Sequence, residues 1–332
     1  MDKLKIGFIG CGGIARAHIR RLLKMDDVKP VAFTDINLSR AKNFAENFKG
    51  NPYTDYNKMI KNEDLDIVFI CLPPFAHKDE VMVVAENNIN IYIEKPIALN
   101  MDLARKMEKA VEKYGVKSQV GYQQRFSAGA ERAKKLIENG EVGDIGLATG
   151  KYWCRFLRKD WWIDVNKSGG QIVEQSTHLY DLLRWLIGDV EKVYCELDKI
   201  FYKNIPNMSI EDVSSTILRF KSKAIGSITA TIGAAPNIGW FKWKIVGSKA
   251  MLESDEPGTL KIYWNTTTPL RIEEHREIGR DPMYLNQRDL IQAVKEDGET
   301  RTPIKEGVKT LQLTLAAVES AREGKPIYLS QI

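Results

Sequence analysis

The sequence predicts an α/β protein of two domains: a doubly wound parallel sheet, then an α+β domain built on a largely antiparallel, open-faced sheet. Three observations lead to this prediction. The chain has 332 residues, which suits two domains of about 150 residues each. Up to residue 125, short apolar runs alternate with amphipathic helical patterns, and after residue 140 several segments alternate apolar with polar residues. We place the domain boundary between 1–123 and 124–332.

The first domain consists of strand–helix repeats. Its predicted strands are apolar throughout, as expected when helices cover both faces of a sheet. This repeat is typical of a parallel, doubly wound sheet. The predicted strands are 4–9, 30–34, 66–72, 89–93 and 116–122, and the predicted helices are 15–25, 38–48, 78–87 and 101–114.

The second domain contains strands that follow one another along the chain. Their alternation is typical of an antiparallel sheet with one packed face and one open face. An open face with Trp, Ile and Val side chains would be a large apolar patch, so we expect a second subunit to cover it. The predicted strands are 212–220, 224–231, 240–246 and 259–264, and the predicted helices are 283–295 and 308–322.

Composition excludes several classes of protein. The 49 basic and 44 acidic residues are spread along the chain, unlike the clustered basic face of a nucleic-acid-binding protein. No apolar run approaches the roughly 18 residues of a membrane span, and the N-terminus lacks the pattern of an export signal. The four cysteines lie at least 41 residues apart, in neither a metal nor a disulfide pattern. We therefore expect a cytoplasmic protein that holds no metal.

A glycine-rich turn joins the first predicted strand to the first predicted helix. Gly10 permits the tight turn, and Gly12 lets the backbone approach a pyrophosphate. The small Ala15 allows helix and strand to pack, and the N–H groups at the helix start can bind phosphate. The pattern predicts a dinucleotide site of the Rossmann type that includes Gly13 and Ile14.

An acidic residue, Asp35, ends the second predicted strand 25 positions after Gly10. A carboxylate at this point accepts hydrogen bonds from the adenosine ribose and repels a 2′-phosphate. Asp35 therefore favours NAD over NADP, although Arg40 nearby weakens the preference. The alternative is a solvated aspartate beside a glycine turn.

A lysine, Lys95, stands at the carboxyl end of a predicted strand, where open α/β sheets bind ligands. Pro96 excludes helix at Lys95 and allows a cis peptide bond. Proton transfer near neutral pH would need the lysine pKa lowered from about 10.4 towards 7–8. The alternative is an ordinary surface lysine.

Four segments of the chain resemble the Gfo/Idh/MocA family (glucose–fructose oxidoreductase and inositol dehydrogenase) in sequence and in order. They are the GCGGIA turn, CLPPFAH at 71–77, EKP at 94–96 and SGG…EQSTHLYD at 168–181. The resemblance implies an NAD-dependent oxidoreductase. It implies further cofactor contacts at Leu72, Pro73, His77, Glu94 and Lys95, with a helix-start role as the alternative for His77.

A helical pattern over 171–186 places Glu174, His178 and Asp181 within about 60° of one another. The i, i+4 spacing allows Glu174 to contact and orient His178. In the resembling family this stretch carries an Asp-x-x-x-His pair beside the lysine; His178 matches the histidine, and Glu174 replaces the aspartate. The alternative is a solvated polar face.

Three residues are candidate substrate ligands: Asp181, Gln124 and Trp162. Gln124 follows the last strand of the first domain, where a hinge is the alternative. Trp162 has the sugar-stacking face of a tryptophan, with a core position as the alternative. The remaining histidines, His18 and His275, have no sequence partner and are expected to be surface or packing residues.

The function expected is hydride transfer between NAD and a secondary alcohol of a sugar, sugar derivative or cyclitol. His178, oriented by Glu174, would take the hydroxyl proton, while Lys95 would hydrogen-bond the same oxygen. Two alternatives are a lyase or epimerase that uses transient oxidation by bound NAD, and a non-catalytic sugar- or NAD-sensing protein. The resemblance also implies a homodimer or homotetramer built through the second sheet.

Overall fold

The computed structural model describes residues 3–157, 160–236, 241–277 and 279–331. The chain divides into two compact units. The first comprises Met1–Gly121 and Met283–Val308, and the second comprises Tyr122–Pro282 and Lys309–Ile332. The sequence-based division placed 283–308 in the second domain, whereas this segment packs into the first unit.

The first unit contains, among its described residues, a six-stranded sheet in the order β3-β2-β1-β4-β5-β6. All neighbouring strands are parallel. This order is that of a doubly wound dinucleotide-binding sheet, which confirms the predicted fold class. The elements are β1 (Leu4–Ile9), α1 (Gly13–Leu22), β2 (Val28–Thr34), α2 (Leu38–Phe48), β3 (Asn51–Tyr53), α3 (Tyr56–Asn62), β4 (Ile67–Ile70), α4 (Glu80–Glu86), β5 (Asn90–Ile93), α5 (Met101–Tyr114) and β6 (Ser118–Val120).

The second unit contains a nine-stranded sheet within the described ranges, and the helix Thr177–Ile187 packs on one face of it. Its strands are antiparallel except for the parallel pair β7–β10. The sheet order is β14-β13-β12-β11-β7-β10-β9-β8-β15. The elements of this unit are α6 (Ala128–Glu138), β7 (Ile145–Trp153), α7 (Val165–Ser168), α8 (Thr177–Ile187), β8 (Val190–Asp198), β9 (Val213–Phe220), β10 (Ile225–Thr231), β11 (Phe241–Gly247), β12 (Ala250–Ser254), β13 (Thr259–Trp264), β14 (Arg271–Arg276) and β15 (Ile327–Tyr328). Helix α9 (Pro282–Glu296) packs into the first unit, and helix α10 (Ile304–Glu323) begins in the first unit and continues into the second.

Helix α9 explains why 283–308 belongs to the first unit. Leu290 and Ile291 are fully buried in the core that covers the parallel sheet. The Tyr92 hydroxyl in β5 donates to Asn286 Oδ1 at 2.5 Å. These contacts join residues almost 200 positions apart, so the helical period of α9 predicted the helix but not its location.

Several elements were not predicted. They include β3, α3 and the strands β7, β8, β12 and β14. β14 is largely exposed, so it lacks the half-buried alternation on which strand prediction depends. Trp240, where the predicted strand 240–246 begins, lies outside the described residues; β11 begins at Phe241. In the part of the chain that is described, no helix is long and apolar enough to cross a membrane.

Candidate active site

The glycine turn after β1 contains two kinds of glycine. Gly10 has φ +94°, and a Cβ there would lie 2.5 Å from the carbonyl oxygen of Cys71. The fold itself therefore requires Gly10. At Gly12 and Gly13, a Cβ would meet no heavy atom of the described residues within 4 Å. Their surroundings leave the open space that close approach of a pyrophosphate needs.

Helix α1 begins differently from helices α2 and α5. Asn37 and Asn100 accept hydrogen bonds from backbone N–H groups at the starts of α2 and α5. At the start of α1, Gly12 offers no side-chain cap, and no acidic residue stands in the first turn. No side chain of α1 therefore neutralises the positive end of the helix dipole, and this helix start is suited to bind an anion such as a pyrophosphate. Ile14 in this turn is 36% exposed.

Asp35 lies directly after β2 and ties this strand to the glycine turn. Its Oδ2 accepts a hydrogen bond from Cys11 N at 3.0 Å, and its Oδ1 accepts one from Asn37 N at 2.8 Å. Each carboxylate oxygen can accept a second hydrogen bond, so the residue retains capacity for a ribose hydroxyl. Burial, together with the neighbouring Asp35 charge, raises the pKa of the Cys11 thiol to about 12. Cys11 therefore stays protonated at neutral pH.

His77 organises the start of α4. Its Nδ1 lies 2.5 Å from Glu80 Oε1, while Glu80 Oε2 accepts a hydrogen bond from Lys78 N at 2.7 Å. The His77 side chain is fully buried. These contacts support the helix-start alternative for His77. Leu72 and Pro73 precede it in half-buried positions.

The turn after β5 carries Lys95, whose peptide bond to Pro96 is cis. Lys95 is partly exposed, and Glu94 before it is buried. Glu94 Oε2 accepts a hydrogen bond from Lys95 N at 3.2 Å, and Glu94 Oε1 lies 2.7 Å from His18 Nε2. The sequence suggested that His18 is a surface or packing residue without a partner, whereas the structure shows it hydrogen-bonded to Glu94. It is fully buried on the inner face of α1, and the pattern of Ala15, His18 and Ile19 on that face was a usable signal.

The predicted helix 171–186 is two elements in the structure. Residues Ile172–Ser176 form a π-helix, and α8 follows. A π-helix has more residues per turn than an α-helix, so the angle predicted between Glu174 and His178 for an α-helix does not apply. Glu174 Oε2 accepts a hydrogen bond from Trp162 Nε1 at 2.6 Å. Orientation of His178 by Glu174 stays a prediction.

His178 lies in the first turn of α8 and is 7% exposed. The Tyr122 ring meets it edge-on, with ring centroids 6.0 Å apart. The Tyr122 hydroxyl lies 3.3 Å from Thr177 Oγ1. Ring packing and the adjacent hydrogen bond thus restrict the rotation of the imidazole.

Asp181 has a structural role that corrects its assignment as a substrate ligand. It is fully buried, and its two oxygens accept hydrogen bonds from Arg125 Nε at 2.8 Å and Arg125 Nη2 at 2.6 Å. Thr310 Oγ1 also donates to Asp181, at 3.0 Å. This bidentate buried pair fixes α8, and the full burial of Asp181 leaves its oxygens inaccessible to a substrate.

Trp162 also differs from its predicted role. Only 1% of it is exposed, and it packs with Met208, Ile210 and Ile232. A face buried in this way is not available to a sugar ring, so Trp162 serves instead to hold Glu174. Gln124 is 6% exposed, and its Oε1 has no hydrogen-bond partner among the described residues. A ligand role for Gln124 remains a prediction.

Glu211 is a site residue that the sequence analysis missed. Its Oε1 accepts a hydrogen bond from Ile172 N at 2.7 Å, at the first residue of the π-helix. Burial raises the pKa of this carboxyl to about 7. Gly170 allows the close approach, because a Cβ there would lie 2.5 Å from Glu211 Oε2. The start of the segment that carries Glu174 thus depends on a buried acid.

A doubly wound sheet with an uncapped, glycine-started helix and an acid after its second strand defines the class of dinucleotide-binding α/β proteins. The comparisons identify the family. A model described as an oxidoreductase family with an NAD-binding Rossmann fold matches residues 4–122, and the model of the Gfo/Idh/MocA C-terminal domain matches 130–253. The chain belongs to the Gfo/Idh/MocA family. This confirms the resemblance and the predicted NAD cofactor.

Individual relatives are distant but match over nearly full length. An uncharacterised oxidoreductase, YrbE, of Bacillus subtilis is 26% identical, over 97% of this chain and 95% of its own. Myo-inositol 2-dehydrogenase of Thermotoga maritima is 24% identical, over 99% of both chains. A levoglucosan dehydrogenase solved in complex with NADH has the same fold, with a TM-score of 0.91, 21% identity and complete coverage of both chains.

The two kinds of glycine predict opposite behaviour for two alanine variants. We expect Gly10→Ala to destabilise the protein by at least about 1–3 kcal/mol, because of its positive φ and the contact with Cys71. We expect Gly12→Ala to leave the melting temperature nearly unchanged but to weaken NADH binding at least about 10-fold, because a methyl group enters the phosphate space. Thermal melting without ligand and fluorescence titration with NADH measure the two effects. Gly146→Ala, also in open space in β7, is the control; normal NADH binding by Gly12→Ala would contradict this assignment.

The raised pKa of Glu211 predicts a pH-dependent stability difference. The folded protein binds this proton more tightly than the unfolded chain, so the contribution of Glu211 to stability is complete below pH 4.5 and is lost as the pH rises to about 7. Glu211→Gln does not titrate. The melting temperature of Glu211→Gln relative to wild type should therefore rise between pH 5 and pH 8. The corresponding change in the free energy of unfolding, relative to wild type, is at most about 3 kcal/mol. Glu299→Gln, at an exposed position, should show no such trend; a constant difference for Glu211→Gln would refute the prediction.

Proposed function

We propose that this protein oxidises a secondary alcohol of a sugar, a sugar derivative or a cyclitol with NAD. The observation that carries the proposal is the uncapped start of α1, with open space at Gly12 and Gly13, in a unit whose β5 strand is followed by Lys95 in the next turn. Two similar proteins support the substrate class, since one is a myo-inositol 2-dehydrogenase and the other a levoglucosan dehydrogenase. Asp35 supports NAD rather than NADP.

The chemistry assigned to the residues is removal of a proton from oxygen while a hydride leaves carbon. Bound NAD supplies the hydride acceptor. His178 takes the hydroxyl proton, and the surrounding Tyr122 and Thr177 restrict its rotation. Lys95 donates a hydrogen bond to the same oxygen and stabilises the negative charge that develops there. Glu174, whose carboxylate accepts a hydrogen bond from Trp162, is assigned the role of orienting His178.

The cofactor contacts proposed are those at Gly10, Gly12, Gly13, Ile14 and Asp35. Leu72, Pro73 and the turn at Glu94 and Lys95 follow other strands of the same sheet at their carboxyl ends, which supports their place beside the nicotinamide half. Gln124, with a buried amide oxygen, is proposed as a substrate ligand.

The test is the absorbance of reduced nicotinamide after mixing protein, NAD and a panel of inositols, aldoses and anhydrosugars. We expect turnover with at least one member, and we expect Lys95→Ala and His178→Ala each to lower kcat by about 10²–10⁴-fold. If both residues act on one oxygen, the double variant should be scarcely slower than the worse single variant. Lys106→Ala, at an exposed position in α5, is the matched control.

Other outcomes would replace the proposal. Retention of NAD through purification with no net reduction by any substrate would favour the lyase or epimerase mechanism. Sugar and NADH binding without any turnover would favour a sensor. Normal hydride transfer by Lys95→Ala would remove Lys95 from the mechanism.

We further propose that the open face of the second sheet forms a homo-oligomer, as a dimer or tetramer. Val246, Leu147 and Ile225 are register neighbours across β11, β7 and β10. They form an apolar row on the outer face, with exposures of 37%, 46% and 41%. Ile217 on the next strand, β9, is 52% exposed. A row of this kind favours burial against an identical sheet.

Light scattering tests this assembly. We expect a mass of at least two chains at micromolar concentration for the wild type, and dissociation of Leu147→Lys because a charge would be buried without a partner. Ile36→Lys is the control, since Ile36 is 97% exposed in the first unit. A monomeric wild type, or equal masses for wild type and Leu147→Lys, would contradict the proposed interface.

We propose a cytoplasmic location. The support comes from Cys11, Cys71, Cys154 and Cys195, which are all free thiols in the structure. Free thiols fit a reducing compartment.

A further inference from the structure

A chain of buried polar side chains leads from α9 through α1 to the lysine turn. Gln287 Nε2 lies 2.5 Å from His18 Nδ1, and His18 Nε2 lies 2.7 Å from Glu94 Oε1. The other oxygen of Glu94 accepts the hydrogen bond from Lys95 N at 3.2 Å. Gln287 and His18 are fully buried, and Glu94 is 7% exposed. All of these residues belong to the first unit.

The partners at its two ring nitrogens determine the tautomer of His18. The amide nitrogen of Gln287 can only donate, so Nδ1 of His18 accepts. With Nδ1 as an acceptor, Nε2 carries the ring proton and donates a hydrogen bond to the carboxylate of Glu94. The imidazole thus connects Gln287 in α9 to Glu94, the residue before Lys95, through one hydrogen bond at each ring nitrogen.

The groups around this contact make Glu94 dependent on it. The Tyr92 ring lies 4.8 Å from the His18 ring, centroid to centroid. Burial first, and then the Glu94 charge, raise the pKa values of Tyr92 and Cys71 well above their usual ranges. Both groups therefore stay protonated and uncharged at neutral pH. A buried carboxylate that lost the His18 donor would be left with the weak 3.2 Å bond to Lys95 N.

We propose that His18 is a positioning residue for Lys95: its Nε2–H fixes the Glu94 carboxylate, and that carboxylate fixes the backbone from which the lysine side chain extends. The inference rests on the proposed function, in which Lys95 contacts the substrate oxygen. His18 itself contacts neither substrate nor cofactor in this assignment. A small displacement of a catalytic group lowers the rate far more than it lowers affinity.

Three substitutions of His18 separate this role from simple packing. Gln places an amide nitrogen near the position of Nε2 and keeps the donor to Glu94. Asn reaches only the position of Nδ1, and Leu fills the space without any donor. We expect His18→Gln to keep kcat within about 3-fold of wild type. His18→Asn and His18→Leu should lower kcat by about 10–100-fold, with the KM for NAD and substrate changed less than about 3-fold.

Two readouts do not depend on turnover. The chain has four histidines, so the imidazole ¹⁵N spectrum can be assigned by loss of one signal in His18→Gln. We expect His18 to show the Nε2–H tautomer. Peptide mass spectrometry can follow the rate at which acetic anhydride modifies Lys95. We expect this rate to differ several-fold from the wild-type rate in His18→Asn and His18→Leu, and to match the wild-type rate in His18→Gln. Modification of the exposed Lys106 is the internal control.

The outcomes distinguish this inference from the proposed function. An inactive wild type whose Lys95 reactivity follows the expected pattern would refute the dehydrogenase and leave the positioning role standing. An active wild type with equal kcat for all three variants would refute the positioning role alone. An Nδ1–H tautomer, which has no proton on Nε2, would also overturn it. If His18→Leu does not fold, the comparison of His18→Gln with His18→Asn decides.

Discussion

The buried carboxylate of Glu94 is the constraint on which the arrangement of the first unit depends. A charged group in a nearly closed environment must be hydrogen-bonded, and its partners come from elements far apart in sequence. His18 supplies one from α1, and Lys95 N supplies another from the turn after β5. Gly121 leaves room for it, since a Cβ there would lie 2.9 Å from both Glu94 oxygens. Helix α1 starts at the glycine turn and carries His18 in its second turn, so one rigid element sets the phosphate end and the lysine end together.

The sequence predicts the first unit well because its information is local. Apolar strands and capped helices are properties of short windows, and two helices, Leu38–Phe48 and Met101–Tyr114, have the predicted bounds. Each has an asparagine at its N-cap that the sequence displays directly. The glycine turn and Asp35 are local in the same sense. The partnership of His18 with Glu94 spans 76 positions, and nothing in either segment indicates the other.

The helix that carries His178 shows why polar residues on one helical face do not by themselves define a site. Asp181 looked like a ligand from its spacing, but it is satisfied by Arg125, 56 positions earlier. Removing either partner of such a buried pair would leave an unpaired buried charge and lower the stability of the fold. A structural role is therefore sufficient to account for Asp181 and Arg125. The sequence likewise contains no signal that predicts the π-helix at Ile172–Ser176. This π-helix places Glu174 against Trp162, so a tryptophan expected at the substrate instead holds an acid.

The glycine turn shows how fold and function can be separated in this chain. Gly10 is explained by the protein alone, because its φ and the nearby Cys71 carbonyl exclude a side chain. Gly12 and Gly13 are not explained in this way, since neither has a positive φ and neither meets another described residue within 4 Å of a Cβ. Glycine at the start of a helix also costs conformational entropy and forgoes a side-chain cap. A residue that the fold does not require and that lowers its stability is best explained by what must approach it, and at an uncapped helix start that is the pyrophosphate of the dinucleotide.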